Sequence, residues 1–325
     1  DLHSFPTRRS SDLVGAGFFN MLICLKGGRV SMMAAAELRN GSGFNSMMTT
    51  TQMKQMDERL PYGRYLSLNG TYNIRDLGGI PAADGRKIAP GRLLRGDHLN
   101  WIDAEDAQKL GGIVHHVVDL RRPSETARQP DVIIPRVFYH RVPILPDERS
   151  KPAGQKQREP GMLLVEQVQA MNLDVVRFQA ARYRQAALND GVMAQIRQVL
   201  AIILENKTGA VLWHCTAGKD RTGMIAAVVL LALGVEMSVV LADYLASNAV
   251  LAERIKSIVD FSRQATDDPQ MLAQIALLCQ VQQVYFETAV AAVSEAYGSV
   301  DAYLTKALGL DEAARIRLRR HYLVD

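Results

Sequence analysis

Residues 210–233, AVLWHCTAGKDRTGMIAAVVLLAL, constrain the fold more than any other part of the chain. The run AVLWH is short and apolar at successive positions, so it reads as a strand buried on both faces rather than one with a wet side. From Gly223 to Leu233 the sequence is apolar all round, which fits a helix enclosed by protein, and Gly234 closes it. A doubly buried strand feeding a buried helix through a short loop belongs in a parallel sheet covered by helices.

The remaining segments supply neighbours for that unit. IVHHVVDLR (113–121) reads as a second doubly buried strand, and RVFYHRVPI (136–144) reads as a further strand. RYLSLNGTYNIRDLGG and GRKIAPGRLLRGD read as short strands joined by a turn at Asp84 and Gly85. DAEDAQKLGG (103–112) predicts a short helix capped by Gly111. Residues 162–206 predict two or three helices, with Asp190 as N-cap of the last. Residues 238–296 are helical with a break at DDPQ, and two more helices end the chain. The expected fold class is α/β: a mainly parallel central sheet flanked by helices, with 238–296 as an added helical insertion or lid. No internal repeat is present.

Composition narrows the function. With 325 residues, 48% of them hydrophobic, the chain can bury one large core or two modest ones. A net charge of +4 gives no support to nucleic-acid binding and suits an anionic substrate. Three cysteines, Cys24, Cys215 and Cys279, are too few and too scattered for a disulfide framework or a zinc site. The longest apolar run, MIAAVVLLALGV, is too short to span a bilayer, so a cytoplasmic protein without a transmembrane segment is expected. Export without a recognisable signal stays open, as does the oligomeric state. Residues 1–60 stand apart: DLHSFPTRRSSDL looks like a translated adapter fragment, and 31–56 has a disordered composition. The functional domain is expected over 61–325.

The chemistry sits in HCTAGKDRTG (214–223). A cysteine between a strand and a helix N-terminus faces unpaired amides and the positive end of the helix dipole. Thiols in such positions drop from about 8.5 towards neutrality and become thiolate nucleophiles. The five residues between Cys215 and Arg221 can wrap into a nest whose amides share one anion. Gly218 permits the tight turn, and Arg221 can close the cradle with its planar fork. Thr216, Ala217, Gly218, Lys219, Asp220, Arg221 and Thr222 are therefore the candidate phosphate-binding residues, with Cys215 at the floor. A nucleotide-binding loop is excluded, because Trp213 stands where its first glycine belongs and Asp220 follows the lysine.

HCTAGKDRTG resembles the signature loop of the cysteine-dependent phosphatases, in the atypical bacterial and fungal branch of the protein-tyrosine phosphatases. NIRDLGG, GRLLRGDHL, DLRRPSE, DYLASN and YGSVDAYLTKALGL fall in the order of that branch, so the resemblance covers about residues 64–325. It implies a phosphate-monoester hydrolase acting on phosphotyrosine, in some members on phosphoserine, phosphothreonine or phosphoinositides, without metal or other cofactor. It also points to Asp220 as general acid. On the residues alone, Asp190 and Asp147 compete for that role. His214 is expected to orient the loop, Asp119 and Arg121 to scaffold it, and Arg75 and Asp76 to pair beneath it. Thr222 could donate to the sulfur or merely open the helix; Lys219 could meet a second phosphate or sit in solvent. A phosphoinositide phosphatase is the main alternative. An inactive phosphate-binding module, and a sulfur-transfer or arsenate-reducing enzyme using Cys279, rank lower.

Overall fold

The computed structural model describes residues 60–144 and 160–325. Asp147 and most of the segment set aside at the N-terminus lie outside them. A six-stranded sheet holds the strands β1 (Arg64–Tyr65), β2 (Arg75–Asp76), β4 (Leu93–Gly96), β5 (Val114–Asp119), β6 (Phe138–Arg141) and β7 (Ala210–His214), in the order β1-β2-β4-β7-β5-β6. The run β4-β7-β5-β6 is parallel throughout, while β2 runs antiparallel to β4 and to β1. The remaining strands, β3 (Lys87–Ile88) and β8 (Leu323–Val324), form a separate antiparallel ribbon. That ribbon ties the C-terminus down, an interaction with no local sequence signal.

Side-chain alternation explains why AVLWH is apolar at every position. Val211 and Trp213 enter the larger core, whereas Ala210 and Leu212 enter the core on the opposite face. Helix α1 (Ala104–Gly111) contributes Ala107 and Leu110 to that second core. Its N-cap is Asp103, which accepts from the Asp106 amide, and its C-cap is Gly112 rather than Gly111. The strand at 113–121 is less buried than its composition implies, because His115 is exposed and His116 half-buried at its start. The turn at Asp84 and Gly85 is present, with Gly85 at φ +88° and the Ala82 amide bonded to Arg86 O (2.8 Å).

Three helices occupy 160–206: α3 (Pro160–Ala170), α4 (Val175–Ala187) and α5 (Asp190–Glu205), the short α2 (Pro123–Arg128) preceding them. The cap of α5 is Asn189, whose side chain accepts from the Val192 amide (3.0 Å). Asp190 instead falls one position later, in the first turn, where its carboxylate faces the helix dipole. Helix α6 (Asp220–Ala232) follows β7 directly and ends at Gly234, φ +86°.

The stretch 238–296, expected as an added helical insertion or lid, divides between two cores. Helices α7 (Met237–Val250) and α10 (Gln283–Tyr297) join the main core through Val240, Tyr244, Tyr285 and Phe286. Helices α8 (Ala252–Ser262) and α9 (Pro269–Cys279) instead share a small core with α3, built on residues such as Val168, Ile255 and Ile275. A short helical stretch (Val300–Ala302) running into a π-helical turn (Tyr303–Ala307) leads to α11 (Glu312–Tyr322). No single helix among the described residues is long and apolar enough to cross a membrane.

Candidate active site

Three parallel strands deliver the site to one level of the sheet. Gly96 at the end of β4 and Asp119 at the end of β5 both stand opposite His214 at the end of β7. From there residues 215–219 wrap to the start of α6. Gly218 takes φ +68°, and a Cβ on it would lie 2.6 Å from the Gly96 carbonyl carbon. Only glycine fits a left-handed position pressed that closely to another backbone.

Three successive loop carbonyls are held from outside. Thr216 O accepts from the His98 amide (3.5 Å), Ala217 O from Asn73 Nδ2 (3.0 Å) and Gly218 O from Arg95 Nη2 (3.0 Å). With the carbonyls turned out, the amides of the same peptides face the other way. Among the described residues nothing accepts from the amides of Thr216, Ala217, Gly218, Lys219 or Asp220. This is the geometry of an anion nest at a helix N-terminus. Cys215, the residue that opens the loop, is buried and unbridged.

Arg221 is gripped by Glu125 of α2. Its Nη1 donates to Oε2 (2.7 Å) and its Nη2 to Oε1 (2.9 Å). The Thr216 hydroxyl and the Arg122 amide also donate to this carboxylate. Burial works against its charge, but the Arg221 contacts outweigh that and hold Glu125 down at about 2. The fork is thereby fixed beside the nest, with Nη1 also within 3.3 Å of Leu120 O. Glu125 escaped the sequence reading although it stands in DLRRPSE; one charge in a short polar segment gives no periodic signal.

His214 lies between Cys215 and Asp131. Its Nδ1 is 3.3 Å from Cys215 O, and its Nε2 lies 3.2 Å from Asp131 Oδ2, within ion-pair reach. Burial disfavours the imidazolium, yet Asp131 and Asp119 prevail and raise its pKa. Arg121 completes the cluster, donating to Asp119 (2.9 and 2.8 Å) and lying 2.7 Å from Asp131 Oδ2. Asp119, Asp131 and His214 could be mistaken for a cation site, but the Arg121 guanidinium already supplies the positive charge among them.

Several expected roles change. Arg75 and Asp76 do not pair: as neighbours on a strand their side chains leave opposite faces. Arg75 reaches Asp243 (3.2 Å), and Asp76 accepts from the Gly78 and Gly91 amides (2.9 and 2.7 Å). Thr222 donates to Gly96 O (3.3 Å), which commits its proton away from the sulfur. Lys219 is buried, with its ammonium 3.3 Å from Leu278 O and 3.2 Å from Gln280 O at the end of α9. It also lies 2.9 Å from Asp220 Oδ2, while Asp220 Oδ1 accepts from the Tyr183 hydroxyl (2.6 Å). Asp220 thus stands at the loop–helix junction, held by Tyr183 and Lys219, and Asp190 is exposed on α5.

The profile of the tyrosine phosphatase family matches residues 66–324. The chain belongs to that family. Among its relatives is a Cupriavidus necator protein provisionally named a tyrosine-protein phosphatase, 32% identical over 80% of this chain and 89% of the relative. A triple specificity protein phosphatase of Mycobacterium tuberculosis is 28% identical over 78% of this chain and 96% of its own. A tyrosine-protein phosphatase of Nostoc commune aligns over 50% of this chain at 28% identity. The protein is a phosphate-monoester hydrolase, and the sheet, loop and helix just described are the phosphatase fold expected from its sequence.

One buried group gives the phosphatase an acid-side weakness. His98 is buried, and burial together with nearby Arg121 pushes its pKa down to about 3. The unfolded chain protonates this histidine near 6.5, so acidification favours unfolding until the folded value is reached. Between about pH 7.5 and 5 this amounts to roughly 2 kcal/mol. His98→Gln should lose that much less stability over the same interval, measured by urea unfolding at both pH values. Asp97 works in the opposite sense, because burial raises it to about 6. The difference between wild type and variant isolates the histidine.

Proposed function

We infer that Cys215 is the nucleophile of a phosphotyrosine phosphatase and forms a phosphocysteine intermediate. The thiolate attacks phosphorus, the P–O ester bond breaks, and the departing oxygen takes a proton from Asp220. Water then attacks the phosphocysteine, returns a proton to Asp220, and the sulfur leaves as thiolate. The nest amides and Arg221 bind the equatorial oxygens and strengthen as charge develops there. The observation that carries the reading is the outward fixing of three successive loop carbonyls above a buried cysteine.

Asp220 is engaged at both oxygens, by Tyr183 and by Lys219. Delivery of its proton therefore requires one of these contacts to yield when substrate binds. Asp220→Asn keeps an acceptor for Tyr183 but cannot donate an acidic proton. Its kcat should fall on the order of 10²-fold for substrates with a high-pKa leaving group and far less for p-nitrophenyl phosphate. Equal losses for both would assign the acid elsewhere.

Wider specificity is the second reading, favoured by the triple specificity name of the mycobacterial relative. Lys219 adds little to it in this arrangement, since its ammonium already faces two carbonyls and Asp220. The test is phosphate release from a phosphotyrosine peptide and from vesicles carrying phosphatidylinositol phosphates, side by side in chelator. Preferential release from the peptide, inhibited by orthovanadate, supports the primary reading. Preferential release from vesicles would reverse the order, and no release from either would leave a binding module.

A further inference from the structure

We propose that Asp243, on α7, is the positioning residue that sets the direction of the loop amides by orienting both donors to the loop carbonyls of Ala217 and Gly218. The proposal rests on the phosphatase reading above. An anion nest works only while its carbonyls stay turned away, because one flipped peptide would replace a donor with an acceptor facing the phosphate. Ala217 O and Gly218 O are kept out by Asn73 and Arg95, and neither donor is held by the loop it serves.

Both lines lead to one carboxylate. Arg95 Nη1 donates directly to Asp243 Oδ2. Asn73 Oδ1 accepts from Arg75 Nη1 (2.5 Å), and Arg75 in turn donates through Nε to Asp243 Oδ1 (3.2 Å) and through Nη2 to Asp243 O (2.9 Å). Ser247, one turn along α7, adds a contact to Arg75 Nη2 (3.3 Å). Asn73, Arg75, Arg95 and Asp243 are all buried, so water does not compete for these bonds. Gly223 allows this arrangement sterically: a Cβ there would press on Tyr244 of α7 at 3.1 Å. Helix α7 can thus lie close enough to α6 for Asp243 to reach both guanidiniums.

Charge and position make opposite predictions for this residue. Two arginines share one carboxylate, so Asp243→Asn raises the local positive charge beneath the cradle. If the network acted through charge alone, the variant would bind oxyanions more tightly. If it acts by holding carbonyls outward, binding weakens and turnover falls.

The experiment compares wild type, Asp243→Asn and Asp301→Asn, the last removing a distant ion pair with Arg315. Readouts are the melting temperature, kcat and KM for p-nitrophenyl phosphate, and the Kd of orthovanadate. We expect Asp243→Asn to lower kcat on the order of 10²-fold and to raise the vanadate Kd in step, with KM within about threefold. Asp301→Asn should lower the melting temperature alone. Combining Asp243→Asn with Asn73→Ala should cost less than the two separate losses together, because both act on the Ala217 carbonyl. Unchanged kcat in folded Asp243→Asn, or tighter vanadate binding, would overturn the proposal. Should that variant fail to fold, Asn73→Ala decides: about a tenfold loss of kcat supports it and wild-type kcat refutes it. Wild type that shows no vanadate-sensitive turnover would defeat the phosphatase reading itself, a result separable from either variant.

Discussion

Cys215→Ser is expected to lower phosphate release by on the order of 10⁴-fold or more while leaving oxyanion binding nearly intact. A serine hydroxyl is not appreciably ionised near neutrality, and its oxygen is the poorer nucleophile. The cradle, by contrast, is made of backbone amides and Arg221, and its carbonyls are fixed by His98, Asn73 and Arg95. None of those groups depends on the sulfur. Calorimetric titration with inorganic phosphate should therefore give similar affinities for the two proteins. Residual turnover within about tenfold of wild type would remove Cys215 from the chemistry.

The second large effect concerns Arg221. Arg221→Lys keeps the charge but loses the fork that engages Glu125 through two bonds. A point charge cannot grip two equatorial oxygens at once, so kcat should fall about 10²- to 10³-fold with a much smaller change in KM. Arg221→Met goes further, because it leaves Glu125 buried and ionised without its partner. That variant should be destabilised by about 3–5 kcal/mol, and Glu125→Gln in the same chain should recover part of the loss. Urea unfolding of the single and double variants measures this. A double variant no more stable than Arg221→Met would show that the buried carboxylate is not the source of the instability.

The sequence revealed the parts whose chemistry is local. AVLWH is apolar at each position because both its faces are covered, and the glycine at 218 stands where a left-handed turn meets the Gly96 backbone. Strand, loop and helix are contiguous, so spacing alone exposes them. What escaped notice is held together across long separations. Glu125 lies 96 positions from Arg221, and Asp243 lies 168 from Arg75. Asp243 is the only charge in its helix, and Glu125 has Arg121, Arg122 and Arg128 beside it, so neither segment points to its distant partner. The pairing expected between Arg75 and Asp76 failed for a different reason, since adjacency along a strand separates side chains rather than joining them. The helical stretch after Ser238 was legible as helices, but not its division between two cores, because apolar positions do not say which surface they will meet.

A phosphoryl group carried on Cys215 during hydrolysis can be trapped. The wild-type protein would be mixed with a phosphotyrosine peptide in chelator, quenched in acid during turnover, digested and mapped by mass spectrometry. A phosphoryl adduct is expected on the peptide containing Cys215, and none on the same peptide of Cys215→Ser. An adduct on another residue, or turnover with Cys215 unmodified at every quench time, would contradict a phosphocysteine intermediate.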